Sequence, residues 1–128
     1  MKLNNGEIFN AWEPLQKLAG KELPVKASLG LARITNRLRE QYNSIELVRR
    51  GLIRKYGKAD KDNPQQIAVR QDSEEYPKFA AEVVELMNQE ADEVVFERVK
   101  LPEEVDGKTL QIKPEILIPL EGKFVEVG

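Results

Sequence analysis

The chain has 128 residues, of which 33% are charged and 41% are hydrophobic. This length corresponds to a single domain, residues 1–128, with enough apolar side chains for a hydrophobic core. Cysteine and histidine are both absent, which excludes disulfides, thiolate metal sites and histidine-based acid–base catalysis. We therefore expect a protein that is not an enzyme and that holds no metal and no cofactor.

The charges are divided unequally along the chain. Residues 1–58 carry 12 Lys or Arg against 5 Asp or Glu, a balance of +7, whereas residues 59–128 carry 8 against 17, a balance of −9. This asymmetry indicates a surface that meets an anionic partner, or two parts that meet each other within one chain or between copies. The overall pI of about 5.4 argues against a general nucleic-acid-binding protein. No apolar run approaches the length of a membrane span, so we expect no membrane association.

The first predicted helix begins at Asn5, a residue type that caps helix N-termini, and ends at Gly20. Its apolar residues follow the 4, 3, 4 spacing of one helical face: Ile8, Trp12, Leu15 and Ala19. Pro14 interrupts this pattern, because a proline inside a helix removes a backbone donor. We expect it to kink the helix or to split it into two pieces.

The second predicted helix runs between Pro24 and Gly57 and is amphipathic throughout. Its apolar residues recur about every 3.6 positions: Ala27, Leu31, Ile34, Leu38, Tyr42, Ile45, Val48, Leu52 and Tyr56. A helix of this length spans about 50 Å. The core of so small a domain cannot cover all of it, so we expect part of the stripe to pack on another copy in a homo-oligomer.

The acidic half, residues 58–128, is predicted to contain one further helix and a few short strands. Residues 58–72 form a loop with a turn at Asn63-Pro64 and a short strand within residues 66–71. Ser73 is predicted to start the third helix, with Pro77 in its first turn, and this helix should bury the following apolar residues: Phe79, Val83, and Leu86 or Met87.

The last part of the chain is predicted to form a small sheet. Residues 93–101 form a strand that pairs with residues 109–112 across a turn at Asp106-Gly107. Residues 114–120 form a short helical turn and residues 123–127 an edge strand. The predicted fold class is α+β, with N-terminal helices that include one long amphipathic helix, then a helix and a small C-terminal β-sheet.

One edge of the long helix's apolar stripe is basic. Lys26, Arg33 and Arg37 fall within about 40° of one another at 100° per residue, together with Lys55. Gly30 lies on the same edge, although a glycine inside a helix costs about 1 kcal/mol relative to alanine. We interpret this edge as a ligand-binding site in which Gly30 lets a ligand or a second backbone approach while the arginines bind phosphate or carboxylate oxygens. Alternatively, the arginines pair with acidic residues of the C-terminal half or of a neighbouring subunit.

Other charged clusters have ordinary interpretations. The second basic group complements the dipole at the end of the long helix: Arg49, Arg50, Arg54, Lys55 and Lys58. A calcium loop is resembled only superficially by the oxygen-bearing side chains of Asp60, Asp62 and Asn63, since the required glycine and distal glutamate are missing. The sequence contains no phosphate-binding glycine loop, dinucleotide fingerprint or nucleophile elbow.

Three segments resemble a family of small tailed-bacteriophage proteins of unknown function: MKLNNGEIFN at 1–10, LQKLA at 15–19 and ELPVK at 22–26. A long helix that ends at Lys55-Tyr56-Gly57, a further helix and a C-terminal strand and turn also fit this family. Pro14 departs from its pattern. The resemblance implies a phage-encoded protein in the cytoplasm of the infected bacterial host, which serves either virion assembly or interference with the host.

The leading hypothesis is an oligomeric binding protein that captures an anionic partner through Arg33, Arg37 and Lys26. The partner would be a nucleotide-like signal or an acidic protein surface, and its sequestration would serve counter-defence or host takeover. The alternative is a virion structural or assembly protein whose long helix makes protein–protein contacts. No residue pattern supports a third class, an enzyme that works through Glu and Lys.

Overall fold

The computed structural model describes residues 2–59 and 65–127. Its helices are α1 (Asn5–Ala19), α2 (Val25–Tyr56), α3 (Tyr76–Asn88) and α4 (Pro114–Leu117). Its strands are β1 (Lys58–Ala59), β2 (Ile67–Ala68), β3 (Val99–Leu101), β4 (Glu104–Val105), β5 (Lys108–Thr109) and β6 (Val125–Val127). The predicted α+β class is confirmed. The predicted Asn63-Pro64 turn and the calcium-like positions 60, 62 and 63 lie outside the described residues.

A capping box fixes the start of α1. The side chain of Asn4 accepts a hydrogen bond from the Glu7 backbone N–H at 2.8 Å, and the Glu7 carboxylate accepts one from the Asn4 backbone N–H at 3.1 Å. The prediction of Asn5 as the cap was therefore wrong by one residue. Asn5 instead donates a side-chain hydrogen bond to the Leu86 carbonyl at 2.9 Å, which ties α1 to α3.

α1 runs unbroken through Pro14 to Ala19, so the predicted split was wrong, whereas the alternative, a kink at Pro14, stays a prediction. Its buried residues lie on both sides of the proline: Ile8, Ala11, Leu15 and Leu18. Packing of this continuous face against the core offsets the one backbone hydrogen bond that Pro14 cannot make. The buried face is rotated from the predicted one, since Trp12 is half-buried and Ala19 is exposed. Gly20 ends the helix as predicted.

α2 confirms the predicted long helix, with Pro24 before its first residue and Gly57 after its last. The apolar stripe lies in the core over the first two thirds of the helix: Ala27, Leu31, Ile34, Leu38 and Ile45. Farther along, Leu52 and Tyr56 are half-buried and Val48 is 48% exposed. Coverage by α1 and α3 therefore weakens towards the end of α2.

α3 begins at Tyr76 without a side-chain cap, so the prediction that Ser73 starts it was wrong. The Ser73 hydroxyl instead donates to the Arg70 carbonyl at 2.7 Å and closes a turn before the helix. Pro77 lies in the first turn as predicted. Leu86 is buried, whereas the other predicted core positions are only half-buried: Phe79, Val83 and Met87.

The C-terminal strands pair differently from the prediction. β3 covers only residues 99–101 and pairs in parallel with β6, with Val99 opposite Val125. β4 and β5 pair with each other across the predicted Asp106-Gly107 turn, whose φ angles are 53° and 77°. Pro102 lies between β3 and β4 and has no N–H for a continuous ladder. The predicted pairing of residues 93–101 with 109–112 was therefore wrong, although the helical turn at α4 and the last strand are confirmed.

Short pairings complete the fold. β2 confirms a strand within residues 66–71, but it has only two residues and pairs antiparallel with β1, Lys58 opposite Ala68. The core is formed by residues of all four helices, of the β3–β6 pair and of the segments beside them, and its largest fully buried side chain is Phe124. The packing of β3 on the first half of α2 positions the candidate site.

Candidate functional site

A groove of about 880 Å³ lies between the first half of α2 and residues 95–102. This volume falls within the range of small-molecule sites in proteins. The groove is lined by all four residues that the sequence predicts as ligand-binding: Lys26, Gly30, Arg33 and Arg37. We refer to it as the basic groove. The helical period of α2 brings these positions to one edge, and β3 supplies the facing wall.

The basic side chains on the α2 wall have no ionic partner within the described residues. Lys26, Arg33 and Arg37 are exposed, and none of their side chains takes part in a hydrogen bond or ion pair with residues 2–59 or 65–127. The alternative in which these arginines pair with the acidic half of their own chain therefore finds no support in the described structure. Pairing with a neighbouring subunit stays a prediction.

The facing wall adds two basic residues that the sequence analysis missed. Arg98 and Lys100 flank Val99 and line the groove. Arg98 forms an ion pair with Glu126 at 3.4 Å, with both side chains nearly half exposed, whereas Lys100 has none in the described part of the chain. The signal that could have found them is the alternation of basic and apolar residues at positions 98–101. In this strand Val99 and Leu101 are buried, and the basic residues point away from the core.

The charges of the groove are strongly unbalanced. Its lining contains five basic residues and one acidic residue, Glu97. Like charges held close together without counter-charges raise the electrostatic potential, and the walls of a groove focus that potential. The basic groove is therefore suited to an anionic ligand, even though the whole chain carries a net charge of −2.

Gly30 lies where α2 and β3 make their closest approach. A Cβ atom at Gly30 would lie 2.7 Å from the Cγ2 atom of Val99. Val99 is 5% exposed and belongs to β3, so the missing side chain makes room for the facing strand. The prediction that something approaches Gly30 is explained by the packing of Val99, and no ligand is required to account for this glycine.

An apolar surface continues the groove beside its basic residues. Val95 is 73% exposed, and the half-buried Phe96 stacks on Phe124 with ring centroids 5.4 Å apart and an interplanar angle of 6°. Both Val95 and Phe96 line the groove. The site therefore combines basic side chains with an aromatic ring that is supported from behind by the core.

Comparisons with protein-family models, with curated protein sequences and with solved structures gave no match. The resemblance to a phage protein family therefore stays a prediction, and the site is interpreted from its own residues.

A second cleft of about 630 Å³ lies between α1 and the region around α4. Four of the five charged side chains in its lining are paired, Glu7 with Lys123, and Glu13 with Lys17 at 3.4 Å, and the fifth is the acidic Glu115. These pairs neutralise much of the charge that an ionic ligand would need. The basic groove is therefore the stronger candidate.

The second basic group at the end of α2 is partly neutralised by neighbouring carboxylates. Arg49 and Arg50 both contact Glu46, at 2.8 and 3.2 Å, and Lys55 contacts Glu82 at 3.3 Å. The hydrogen bond from Arg49 holds the pKa of the Glu46 carboxyl below its usual value. Although Lys55 shares the helical edge of the groove residues, it does not line the groove. These contacts support a structural role for the group.

Within residues 2–59 and 65–127, no cluster of three or more acidic side chains is arranged to hold a metal ion. In the same part of the chain, none of the helices combines the length and the apolar character that a bilayer crossing requires.

Proposed function

We propose that this chain is a non-enzymatic, phage-encoded binding protein that forms oligomers and captures an anionic partner in the basic groove. The observation that supports this proposal is the set of three unpaired basic side chains on one wall, Lys26, Arg33 and Arg37. Exposed cations that lack a partner gain most from an anion that accepts several charge-assisted hydrogen bonds at once. Sequestration of such a partner in the host cytoplasm would serve counter-defence or host takeover and requires no chemistry.

Oligomer formation would use the part of α2 that α1 and α3 cover least. Leu47 is 68% exposed and Val48 is 48% exposed, one turn before the half-buried Leu52. Exposed apolar side chains on consecutive helical positions gain free energy when a second helix covers them. The same surface is the observation that favours the second candidate function, a virion structural or assembly protein that docks through its long helix.

Native mass spectrometry of the purified protein tests the proposal directly. The protein is measured alone and after addition of mononucleotides, cyclic nucleotides and an acidic peptide. We expect a discrete oligomer with bound anion, and we expect Arg33→Glu with Arg37→Glu to reduce the bound fraction by a factor of at least about 10, since hydrogen bonds to charged groups each contribute about 1.5–3 kcal/mol.

The matched control reverses the charge of two basic residues that lie on the same helix but outside the groove, Arg39→Glu with Arg54→Glu. Both residues are exposed and neither lines the groove, so this variant has the same net charge as the groove variant. It should keep the bound anion. A folded groove variant that binds as well as the control would refute the proposal. A ligand-free oligomer that ignores every anion would favour the assembly role.

A further inference from the structure

We infer that the ligand of the basic groove is a nucleotide with at least two phosphate groups separated by a sugar, such as a linear or cyclic dinucleotide. This inference depends on the proposed function and specifies its ligand. Three features of the groove carry it: the spacing of the basic residues, the aromatic wall and the position of Glu97.

The basic residues of the α2 wall are spread along the helix. At 1.5 Å per residue, Arg33 and Arg37 lie about 6 Å apart along the axis, so both can bind one phosphate. Lys26 lies about 10 Å beyond Arg33 in the other direction. Adjacent phosphates of a diphosphate can be bound by all three only if the side chains of Lys26 and Arg33 converge from positions about 10 Å apart along the helix. Two phosphates separated by a sugar let the arginine pair and Lys26 each bind a phosphate of its own.

The facing wall, formed by β3, also carries basic residues. The contact between Gly30 and Val99 places β3 level with the middle of the α2 wall, between Lys26 and Arg33. Lys100 flanks Val99, lines the groove and has no ion pair in the described chain. Its exposed side chain therefore adds a further positive charge to the groove. An anion with more than one charged group can use the basic residues of both α2 and β3.

The aromatic wall favours a ligand with flat rings. The half-buried Phe96 lines the groove while Phe124 covers one face of its ring at a centroid distance of 5.4 Å. Stacking of a nucleobase on an aromatic side chain stabilises a bound nucleotide whatever the identity of the base. An acidic peptide made of Glu and Asp has no ring to place on this surface.

Glu97 favours the binding of nucleotides over the binding of acidic peptides. It is the acidic residue of a lining with five basic residues, and it repels any carboxylate brought near it. A nucleotide, in contrast, carries sugar hydroxyls and base amino groups that donate hydrogen bonds to a carboxylate. Glu97 repels the anionic groups of both ligand classes, but only the nucleotide offers hydrogen-bond donors that offset this repulsion.

Isothermal titration with four probes tests this inference: linear diadenylate with a 5′-phosphate, cyclic diadenylate, ADP, and a hexapeptide of glutamates. Linear diadenylate and ADP carry nearly the same charge but differ in phosphate spacing. We expect at least one of the two dinucleotides to bind at least about 10-fold more tightly than ADP. The dinucleotide that binds more tightly shows whether the natural ligand is linear or cyclic.

Two variants with exposed substitutions in the groove and one variant outside it complete the experiment. Lys26→Glu with Lys100→Glu should remove the preference for the dinucleotide over ADP, whereas Arg39→Glu should leave it unchanged. Glu97→Gln should strengthen binding of the acidic hexapeptide more than binding of the dinucleotide, because the dinucleotide also loses the hydrogen bonds that its hydroxyl and amino groups donate to the carboxylate. All substituted side chains are exposed, and thermal unfolding of each variant verifies that it is folded.

The remaining outcomes distinguish this inference from the proposed function. If ADP or the hexapeptide binds as tightly as the dinucleotides and Arg33→Glu with Arg37→Glu abolishes that binding, the inference is wrong but anion capture stands. If no probe binds the unmodified protein, both are overturned.

Discussion

Replacement of Phe124 by alanine is expected to lower the free energy of unfolding by about 4 kcal/mol, the middle of the range for a buried phenylalanine. Phe124 is 1% exposed, and its ring stacks on Phe96 in the wall of the basic groove. Its backbone carbonyl also accepts the hydrogen bond from the Val99 N–H at 3.0 Å at the start of the β3–β6 pair. The cavity would therefore lie beneath the groove. Urea denaturation followed by circular dichroism measures the change.

Phe79→Ala is the matched control for this prediction, because it removes the same side chain from a half-buried position on α3. It should cost clearly less, about 2 kcal/mol, since less apolar surface leaves the protein interior. Equal losses for the two variants, or a loss below about 1 kcal/mol for Phe124→Ala, would contradict the placement of Phe124 in the core under the groove.

Substitution of alanine for two glycines of α2 is expected to change stability in opposite directions. Gly51→Ala should stabilise the protein by about 1 kcal/mol, because alanine favours the helix and nothing lies within 4 Å of the added Cβ. Gly30→Ala gains the same helix propensity but places its Cβ 2.7 Å from the Cγ2 atom of Val99. Val99 is buried and stiff about χ1, so it cannot rotate away. We expect a net loss of about 1 kcal/mol, since overpacking costs about 1–3 kcal/mol.

A double-mutant cycle with Val99→Ala isolates this contact. In the Val99→Ala background the clash is removed, and Gly30→Ala should stabilise the protein as Gly51→Ala does. The free energies of unfolding from urea denaturation give the coupling energy between the two positions, which we expect to be about 2 kcal/mol. Equal stabilisation by Gly30→Ala and Gly51→Ala in the unmodified background would show that β3 does not pack on α2 at this point.

The helical half of this fold was predictable because its signals are local. The period of α2 and its boundaries at Pro24 and Gly57 depend only on neighbouring residues, and the structure confirms them. The cap of α1 was misplaced because Asn4 and Asn5 are chemically identical, and only the reciprocal hydrogen bonds of Asn4 with Glu7 distinguish them. The split at Pro14 was wrong because propensity does not include the packing of the buried face.

The strands of the acidic half depend on contacts that are distant in sequence. β3 pairs with a strand 26 residues farther along the chain, Val99 with Val125, and no local pattern specifies that register. The same limit applies to the site. Its α2 wall was predicted from the clustering of Arg33 and Arg37 on one helical edge, whereas Lys100 on the facing wall was missed because only the packing of β3 brings it there.

The central claim is that the basic groove holds the anionic ligand, and amide chemical-shift mapping tests it most directly. Linear diadenylate is added to ¹⁵N-labelled protein, and the shift of each backbone amide is recorded. We expect the largest shifts at both walls of the groove, at Gly30 and Arg33 on α2 and at Val99 and Lys100 on β3. Shifts centred on the α1–α4 cleft near Glu7 and Lys123 would contradict the claim, as would the absence of shifts with linear diadenylate, ADP and the glutamate hexapeptide alike.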